Sequence, residues 1–442
     1  MYSGFDLFAG AGGLSEGFIQ SGFNIIGSVE KEKWACETQK TRHIYHHLKK
    51  SNDLDDYWDY CRKTLVPEEI ANNRESIYRK YPGLKEEIEN TIWQAEFGNP
   101  ANDKNTLSSN EIIELLEKSA KFHKKNVDFI LGGPPCQAYS LVGRSRMGTQ
   151  ARNDKRNYLF KYYYRVVKHF QPDFFLFENV PGILSANDGH IFKLIREDFN
   201  EIGYDLKTGI HDNIRKNIHT SADFGVPQNR KRLIFLGIRQ GVKLTYPDFT
   251  SDLTSENGNG YLTTRDAIGD LPFLNDGEGD DQGLTPYPEN SNLLEYQEKM
   301  RRDSMGIMNH KARPINKWYD REIYQLAIKK AKKNEALNYP DLPSRLKKHK
   351  NEENFPDRFR VHPWNKLPHT IVAHISKDGH YNIHPSLKQL RALTVREAAR
   401  IQSFPDNFKV EGPRTSQYEQ VGNAVPPLMA ENIAIKIKEY LT

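Results

Sequence analysis

Five short apolar runs, each followed by a stretch with helical spacing, constrain this chain more than any other feature. They are FDLF (5–8), NIIGSVE (24–30), VDFIL (127–131), DFFLFENV (173–180) and RLIFLGI (232–238). Runs of this length, rich in Phe, Ile, Leu and Val and bounded by Gly, Pro, Asn or Asp, read as strands. Strands that alternate with helices build an α/β fold: a mostly parallel sheet with helices on both faces, because a parallel connection has to cross over the sheet. One such helix is NEIIELLEKSAKF, whose Ile112, Ile113, Leu115, Leu116 and Phe122 fall on one face.

Two regions break the alternation. Residues 45–105 form a long polar, mostly helical insert to which the sequence assigns no task. From about 241 to 390 the chain turns rich in Pro, Gly, Asn and charge with weak periodicity, which predicts a second, smaller domain of irregular structure. A last helix, MAENIAIKIKEYL, closes the chain. The length, 442 residues, exceeds what one hydrophobic core usually serves, so two or three domains are expected. No apolar run is long enough to span a bilayer, and the opening MYSGFDLF lacks the basic segment of a signal peptide. A cytoplasmic protein without membrane contact is expected. The three cysteines, Cys36, Cys61 and Cys136, are too few and too irregularly spaced for a disulfide framework or a zinc site, and no metal is expected.

Charge is distributed unevenly behind a net value of +5. Residues 251–300 hold 2 Lys/Arg against 11 Asp/Glu, and residues 301–350 hold 14 against 5. The acidic stretch, centred on NDGEGDDQG, reads as a flexible loop or linker. The basic one suits either phosphate contact or a solvated helix face such as AIKKAKKNEA.

Four motifs carry chemistry. In FDLFAGAGGLSEGF a strand enters a glycine turn and then a helix, so backbone N–H groups face whatever lies above the sheet edge. Glu30 ends the next strand, where a carboxylate can accept both hydroxyls of a ribose. The glycines are Gly10, Gly12 and Gly13, with Ser15 where a dinucleotide fingerprint wants its third glycine. That spacing argues against an oxidoreductase and for an adenosyl cofactor without phosphates. In GGPPCQAYS, Gly132 and Gly133 allow close approach of a ligand while Pro134 and Pro135 fix the backbone, aiming Cys136 rigidly, as nucleophilic attack on a planar ring requires. In FENVPG a strand again ends in a carboxylate, Glu178. In QNRKRLIFLG, strand alternation is expected to send Arg230 and Arg232 to one face, where guanidinium groups can hold a base edge or a carboxylate. Each motif alone has a plain structural reading: a turn, a core thiol, a helix cap, surface arginines.

Their joint occurrence in this order, followed by LTVREAARIQSFP (393–405) and QVGNAVPP (420–427), closely resembles the cytosine-5 DNA methyltransferases, above all the prokaryotic enzymes of restriction–modification systems. The match covers residues 5–240 and 391–442 apart from the insert. The resemblance implies a Rossmann-like methyltransferase domain over residues 1–240, a target-recognition domain over 241–410, and a segment 411–442 returning to the first. It implies a methyl group moved from S-adenosylmethionine to carbon 5 of a cytosine swung out of duplex DNA. Cys136 would add to carbon 6, Glu178 would hydrogen-bond or protonate ring nitrogen 3, and Arg232, with Arg230 beside it, would hold the exocyclic oxygen. Cofactor contacts would come from Phe8, Gly10, Gly12, Gly13, Leu14, Glu30, Leu159, Asn423 and Val425. Gln137, Ser140 and Arg144 are candidate DNA contacts in the mobile loop that the family carries after its cysteine. Two departures concern the adenine side: Lys31 follows Glu30 where relatives often place an apolar group, and the insert displaces the acid expected after the third strand, leaving Asp103 as its candidate.

Arg396, Glu397 and Arg400 would brace the recognition region, with Val395, Ala398, Ala399 and Ile401 inward and the charges outward. Trp318, Trp364, His362 and His384 could approach DNA, although most are expected to be core. A monomer is expected, with a cognate restriction endonuclease acting on the same site outside any obligate complex. The rival readings are a relative acting on transfer RNA, disfavoured by the large variable region, and a silent DNA-binding relative, disfavoured because Cys136 and Glu178 are both present.

Overall fold

Alternation along the apolar runs does set up a sheet with two covered faces. The computed structural model describes residues 1–63, 69–101, 103–134, 159–207, 214–244, 247, 260–289, 292–315, 317–348 and 356–441. Its main sheet contains β1 (Ser3–Leu7), β2 (Asn24–Glu30), β3 (Ile92–Gln94), β4 (Phe129–Gly132), β5 (Phe174–Asn179), β6 (Tyr204–Lys207), β7 (Ile218–Thr220) and β8 (Lys231–Arg239). The order is β3-β2-β1-β4-β5-β8-β6, with β7 beside β8. Strands β1 to β5 pair in parallel, and β8 runs antiparallel to its neighbours. The helices are α1 (Gly13–Gln20), α2 (Lys33–Lys50), α3 (Asp55–Arg62), α4 (Ile70–Lys80), α5 (Leu84–Glu89), α6 (Ser109–His123), α7 (Phe160–Phe170) and α8 (His190–Glu201), then α9 (Thr264–Ile268), α10 (Glu295–Arg301), α11 (Trp318–Lys332), α12 (Val395–Ile401), α13 (Arg414–Asn423) and α14 (Pro427–Glu439).

Phe129, Leu131, Phe174 and Leu176 face one side, where Leu14 and Phe18 of α1 and Ile433 and Ile437 of α14 cover them. Phe5, Leu7, Ile130, Phe175 and Phe177 face the other, under Ile112 and Leu116 of α6, Tyr163 of α7 and Phe199 of α8. Two devices fix these helices in place. Ser108 and Glu111 form a reciprocal cap at the start of α6, satisfying N–H groups that a helix end leaves open. Gly17 lets α1 lie directly on α14: a Cβ there would stand 2.3 Å from the Glu431 nitrogen. The end of the chain therefore returns to the sheet.

The structure corrects several expectations. The insert is narrower than 45–105, because α2 extends to Lys50 and β3 is an edge strand of the main sheet. Three residues are too few to show a period of two, so β3 was hidden in the insert. Helices α3 to α5 bury Tyr57, Trp58, Ile70, Ile77 and Leu84 against Ile44 and Leu48 of α2. The centre of the acidic stretch is not a flexible loop or linker throughout: β9 (Gly279–Thr285) pairs antiparallel with β10 (Ile307–Lys311). A second small core joins Ile323, Tyr324 and Ile328 of α11 to Tyr339, Phe359 and Ile383, leaving Lys329 and Lys332 in solvent.

Residues 393–410, expected within the recognition region, share the core of the main sheet through Leu393, Val395, Ile401, Phe404 and Phe408. Helix α12 is enclosed on every side, so Arg396, Glu397 and Arg400 do not point outward; all three are buried. They are satisfied internally. Arg391 donates to both oxygens of Glu397 at 2.7 Å, Arg400 to both oxygens of Asp406 at 2.6 Å, and Arg396 to the carbonyls of Met308, Pro405 and Phe408. Bracing is therefore their role. Among the described residues, no helix is long and apolar enough to cross a membrane.

Candidate active site

The C-terminal edge of the parallel strands gathers most of the described residues that sequence reasoning selected. Gly132 of β4 lies opposite Phe177 of β5, so the chain leaves β4 at Gly133 beside Glu178, which stays in the sheet opposite Ile234 of β8. A Cβ on Gly133 would come within 2.9 Å of Glu178 Oε2, so a larger residue there would push the carboxylate out of its place. From the other side, antiparallel β8 delivers Arg232, whose Nε donates to Glu178 Oε1 at 2.5 Å, with 14% and 13% of the two side chains exposed. Glu178 and Arg232 thus form a charged pair that is dry on most sides and open on one. An ion pair in such a place is strengthened by low dielectric yet can still reach a ligand.

Asn179, which sequence reasoning passed over, is buried beside them. Its Nδ2 donates to the Pro134 carbonyl at 3.1 Å and its Oδ1 accepts from the Val180 nitrogen. It pins the chain two residues before Cys136. The signal was its place next to Glu178 in FENV. Cys136, Gln137, Ser140 and Arg144 lie outside the described residues.

Arg230 does not join Arg232. It precedes β8, so strand alternation does not govern it, and its guanidinium is buried against the carbonyls of Ile371 at 2.9 Å and Gly422 at 3.2 Å. Gln228, also missed, is equally buried and bonds Ile371 and Gln402. These residues stitch the small domain to the sheet and to α13. His362 and His384 are likewise interior, and burial pushes them down to about 4 and about 3. Trp364 is half-buried, while Trp318 is exposed at the start of α11.

The glycine turn forms the second half of the site. The chain leaves β1 through left-handed backbone at Phe8, Gly10 and Gly12. The Gly10 nitrogen donates to Glu30 Oε2 at 2.7 Å and the Glu32 nitrogen to Oε1 at 2.8 Å. Burial raises the Glu30 carboxyl above its ordinary value. Gly10 faces open space, with nothing within 4 Å of where a Cβ would stand, and Phe8 stacks obliquely on Phe97 at 4.9 Å. Gly12, Gly13 and Leu14 are buried. A Cβ on Gly13 would stand 2.2 Å from the Val425 carbonyl, so Val425 does return to this turn, and Gly13 and Leu14 face any ligand only through backbone. Asn423 is exposed and Leu159 half-buried at the head of α7. Asp103 is exposed and caps its own turn by accepting from the Asn105 nitrogen; the carboxylates near Lys31 are instead Glu32 and Glu96, each at 3.6 Å.

These residues fit an adenosyl group. A carboxylate has about four lone-pair positions, and the backbone bonds from Gly10 and Glu32 leave Glu30 acceptor capacity for a hydroxyl. Two further residues support the turn from behind, and neither carries a signal in the sequence. Gln39 of α2 donates to the Gly10 carbonyl at 2.6 Å. Asp6 is buried, accepts from Ser15 Oγ at 2.6 Å, and is pushed up to about 7 by burial.

Known proteins share both sequence and fold. The family model described as C-5 cytosine-specific DNA methylase matches residues 2–65 and 85–439. The chain is 52% identical over 440 residues to the Type II methyltransferase M.Bpa9945I of Bacillus paralicheniformis, covering 99% of this chain and 98% of that protein. It is 31% identical to the Type II methyltransferase M1.HphI of Haemophilus parahaemolyticus, covering 97% and 84%. The crystal structure of a candidate DNA modification methyltransferase encoded within an E. coli prophage aligns with a TM-score of 0.62 at 23% identity, over 100% of this chain and 99% of that one.

Proposed function

Because the chain belongs to the C-5 cytosine-specific DNA methylase family, we propose that its sheet edge methylates a cytosine everted from duplex DNA, with Cys136 as nucleophile and Glu178 and Arg232 as the groups that activate the ring. The chain is a DNA cytosine-5 methyltransferase, and its residues divide the work of that reaction. The observation that carries the reading is the Glu178–Arg232 pair at 2.5 Å, set against Gly133 at the stem of the PPCQ segment.

A cytosine ring is too weakly electrophilic at carbon 6 for unaided addition. As the Cys136 thiolate forms its Sγ–C6 bond, the C5–C6 π electrons shift into the ring, and Glu178 meets the charge by sharing a proton with nitrogen 3. Arg232 orients Glu178 through its Nε and offers its remaining N–H groups to the exocyclic oxygen. Carbon 5 is then nucleophilic. S-adenosylmethionine, when bound, supplies an electrophilic methyl group. Transfer of the carbon 5 proton to solvent water afterwards returns its electron pair to the ring, breaks the Sγ–C6 bond and frees the thiolate. Glu30 would hold the ribose hydroxyls, and the backbone at Gly10, Gly12, Gly13 and Leu14, with Phe8, Leu159, Asn423 and Val425, would line the remainder. Gln137, Ser140 and Arg144 would meet the DNA backbone.

In this reading residues 1–240 hold the chemistry, 241–410 the target-recognition region and 411–442 the returning segment, while 393–410 also belong to the core of the main sheet. The protein would act in the cytoplasm as a monomeric modification enzyme, with a cognate endonuclease working separately at the same sequence. The test is transfer of labelled methyl from S-adenosylmethionine to DNA by the wild type and by Cys136→Ser. Label at cytosine carbon 5, lost in the variant while cofactor binding persists, supports the reading; turnover by Cys136→Ser refutes it.

A further inference from the structure

The helical insert remains without a task, and residues 66–84 fall outside the family match altogether. Yet α4, which lies there, sends one arginine deep into the catalytic domain. Arg74 is 2% exposed. Its Nη2 donates to the Glu37 carbonyl and to Thr41 Oγ1, each at 2.6 Å, and its Nη1 pairs with the Glu37 carboxylate. Glu37 and Thr41 are four residues apart, so the guanidinium grips a single turn of α2 along one side.

Gln39 belongs to the same turn. At 100° per residue it projects about 200° away from Glu37, onto the opposite face of the helix. There its Nε2 donates to the Gly10 carbonyl at 2.6 Å, its Oε1 accepts from Ser28 Oγ, and its Cγ lies 3.5 Å from where a Cβ on Gly12 would stand. One turn of α2 is therefore held by the insert on its outer side and holds the glycine turn on its inner side. A shared anchor ties this turn to the end of the chain. Thr41 Oγ1 and Tyr60 of α3 both donate to Glu411 Oε1 at 2.7 Å, and Thr38 donates to Gln420 of α13 at 2.6 Å.

We propose that Arg74 is a positioning residue for cofactor binding: through the α2 turn and Gln39 it fixes the Gly10 carbonyl and the left-handed backbone that faces the ligand. The proposal rests on the reading of this turn as the S-adenosylmethionine site. It assigns the insert a purpose, that of a splint which pre-forms the glycine turn so that the ligand does not have to order it. Preorganisation of this kind appears as affinity.

The test is calorimetric titration of S-adenosylmethionine into the full-length wild type, Arg74→Ala, Gln39→Ala and the double variant, well below their melting temperatures. Each single change is expected to weaken binding about tenfold. The double variant is expected to bind about as weakly as either single one, because both cut the same line of support; residues acting through one another give non-additive cycles. Arg74→Lys, which keeps a charge and a donor, is expected to recover part of the affinity, and it replaces Arg74→Ala in the cycle if that variant does not fold. Lys85→Ala, which breaks an exposed insert pair with Glu75 at 2.9 Å, is expected to bind like wild type. Equal affinity of Arg74→Ala and wild type, or losses that multiply in the double variant, would overturn the positioning role while leaving the cofactor reading intact. Absence of any binding by the wild type would overturn both.

Discussion

Two carboxylate–guanidinium pairs in this molecule use the same chemistry for opposite ends. Arg400 and Asp406, at the junction of the sheet and the small domain, are wholly buried, meet through two bonds of 2.6 Å, and are joined by Asp270 at 3.2 Å. Glu178 and Arg232, at the sheet edge, share one contact of 2.5 Å and keep one side open. The first pair has almost nothing left to offer a ligand. The second retains unspent donors and acceptors where a flat ring can reach them. Whether a charged pair is architecture or chemistry is decided here by how completely its hydrogen-bonding capacity is used, more than by which residues form it.

The contrast can be broken most sharply at Glu178. Glu178→Gln keeps the shape but removes the exchangeable proton, so methyl transfer should fall by about 10²- to 10⁴-fold while urea unfolding shifts little. Equal loss of stability would place this pair with the architectural ones. The converse variant is Asp406→Asn, which leaves Arg400 under-compensated in the interior. It should cost about 3 kcal/mol or more in unfolding free energy, with turnover per folded molecule kept. Activity lost from a fully folded Asp406→Asn would erase the distinction.

A milder effect concerns pH. His362, stacked on His369 at 3.8 Å and bonded to Asn382 with Arg360 nearby, is pushed down to about 4 by burial; His310, close to Thr394, Glu397 and Arg391, is pushed down to about 4 in the same way. For a histidine lowered on folding, the unfolded chain binds the extra proton, so stability is complete above about 6.5 and declines as pH falls toward 4. Glu397, which the charge of Arg391 holds below the ordinary carboxylate range despite burial, acts in the same direction at lower pH. Urea midpoints measured between pH 7.5 and 4.5 should fall steadily below about 6.5; a flat profile would show that these rings are not held neutral.

Much of this arrangement was legible beforehand where local pattern and function coincide. The apolar runs located β1, β2, β4, β5 and β8 because strands buried on both faces announce themselves, and the carboxylates Glu30 and Glu178 stood out because they end such runs. Arg230 escapes that pattern because strand alternation begins only with Lys231. Arg396, Glu397 and Arg400 misled because a helix enclosed on all sides can hide charge that amphipathic reasoning sends to solvent. Gln39, Asp6 and Arg74 were invisible for a different reason: their meaning comes from partners elsewhere in the chain, such as Glu37 and Glu411 for Arg74, and no period or spacing encodes such a contact.

The chemistry stands or falls on a bond between Cys136 and the target ring. DNA carrying 5-fluorocytosine at the methylated position should trap the enzyme in the presence of S-adenosylmethionine, since fluorine cannot leave as the proton does. Peptide mass mapping should then place the adduct on Cys136 in the wild type and find its formation slowed by Glu178→Gln. An adduct on any other residue, or methyl transfer without one, would contradict it.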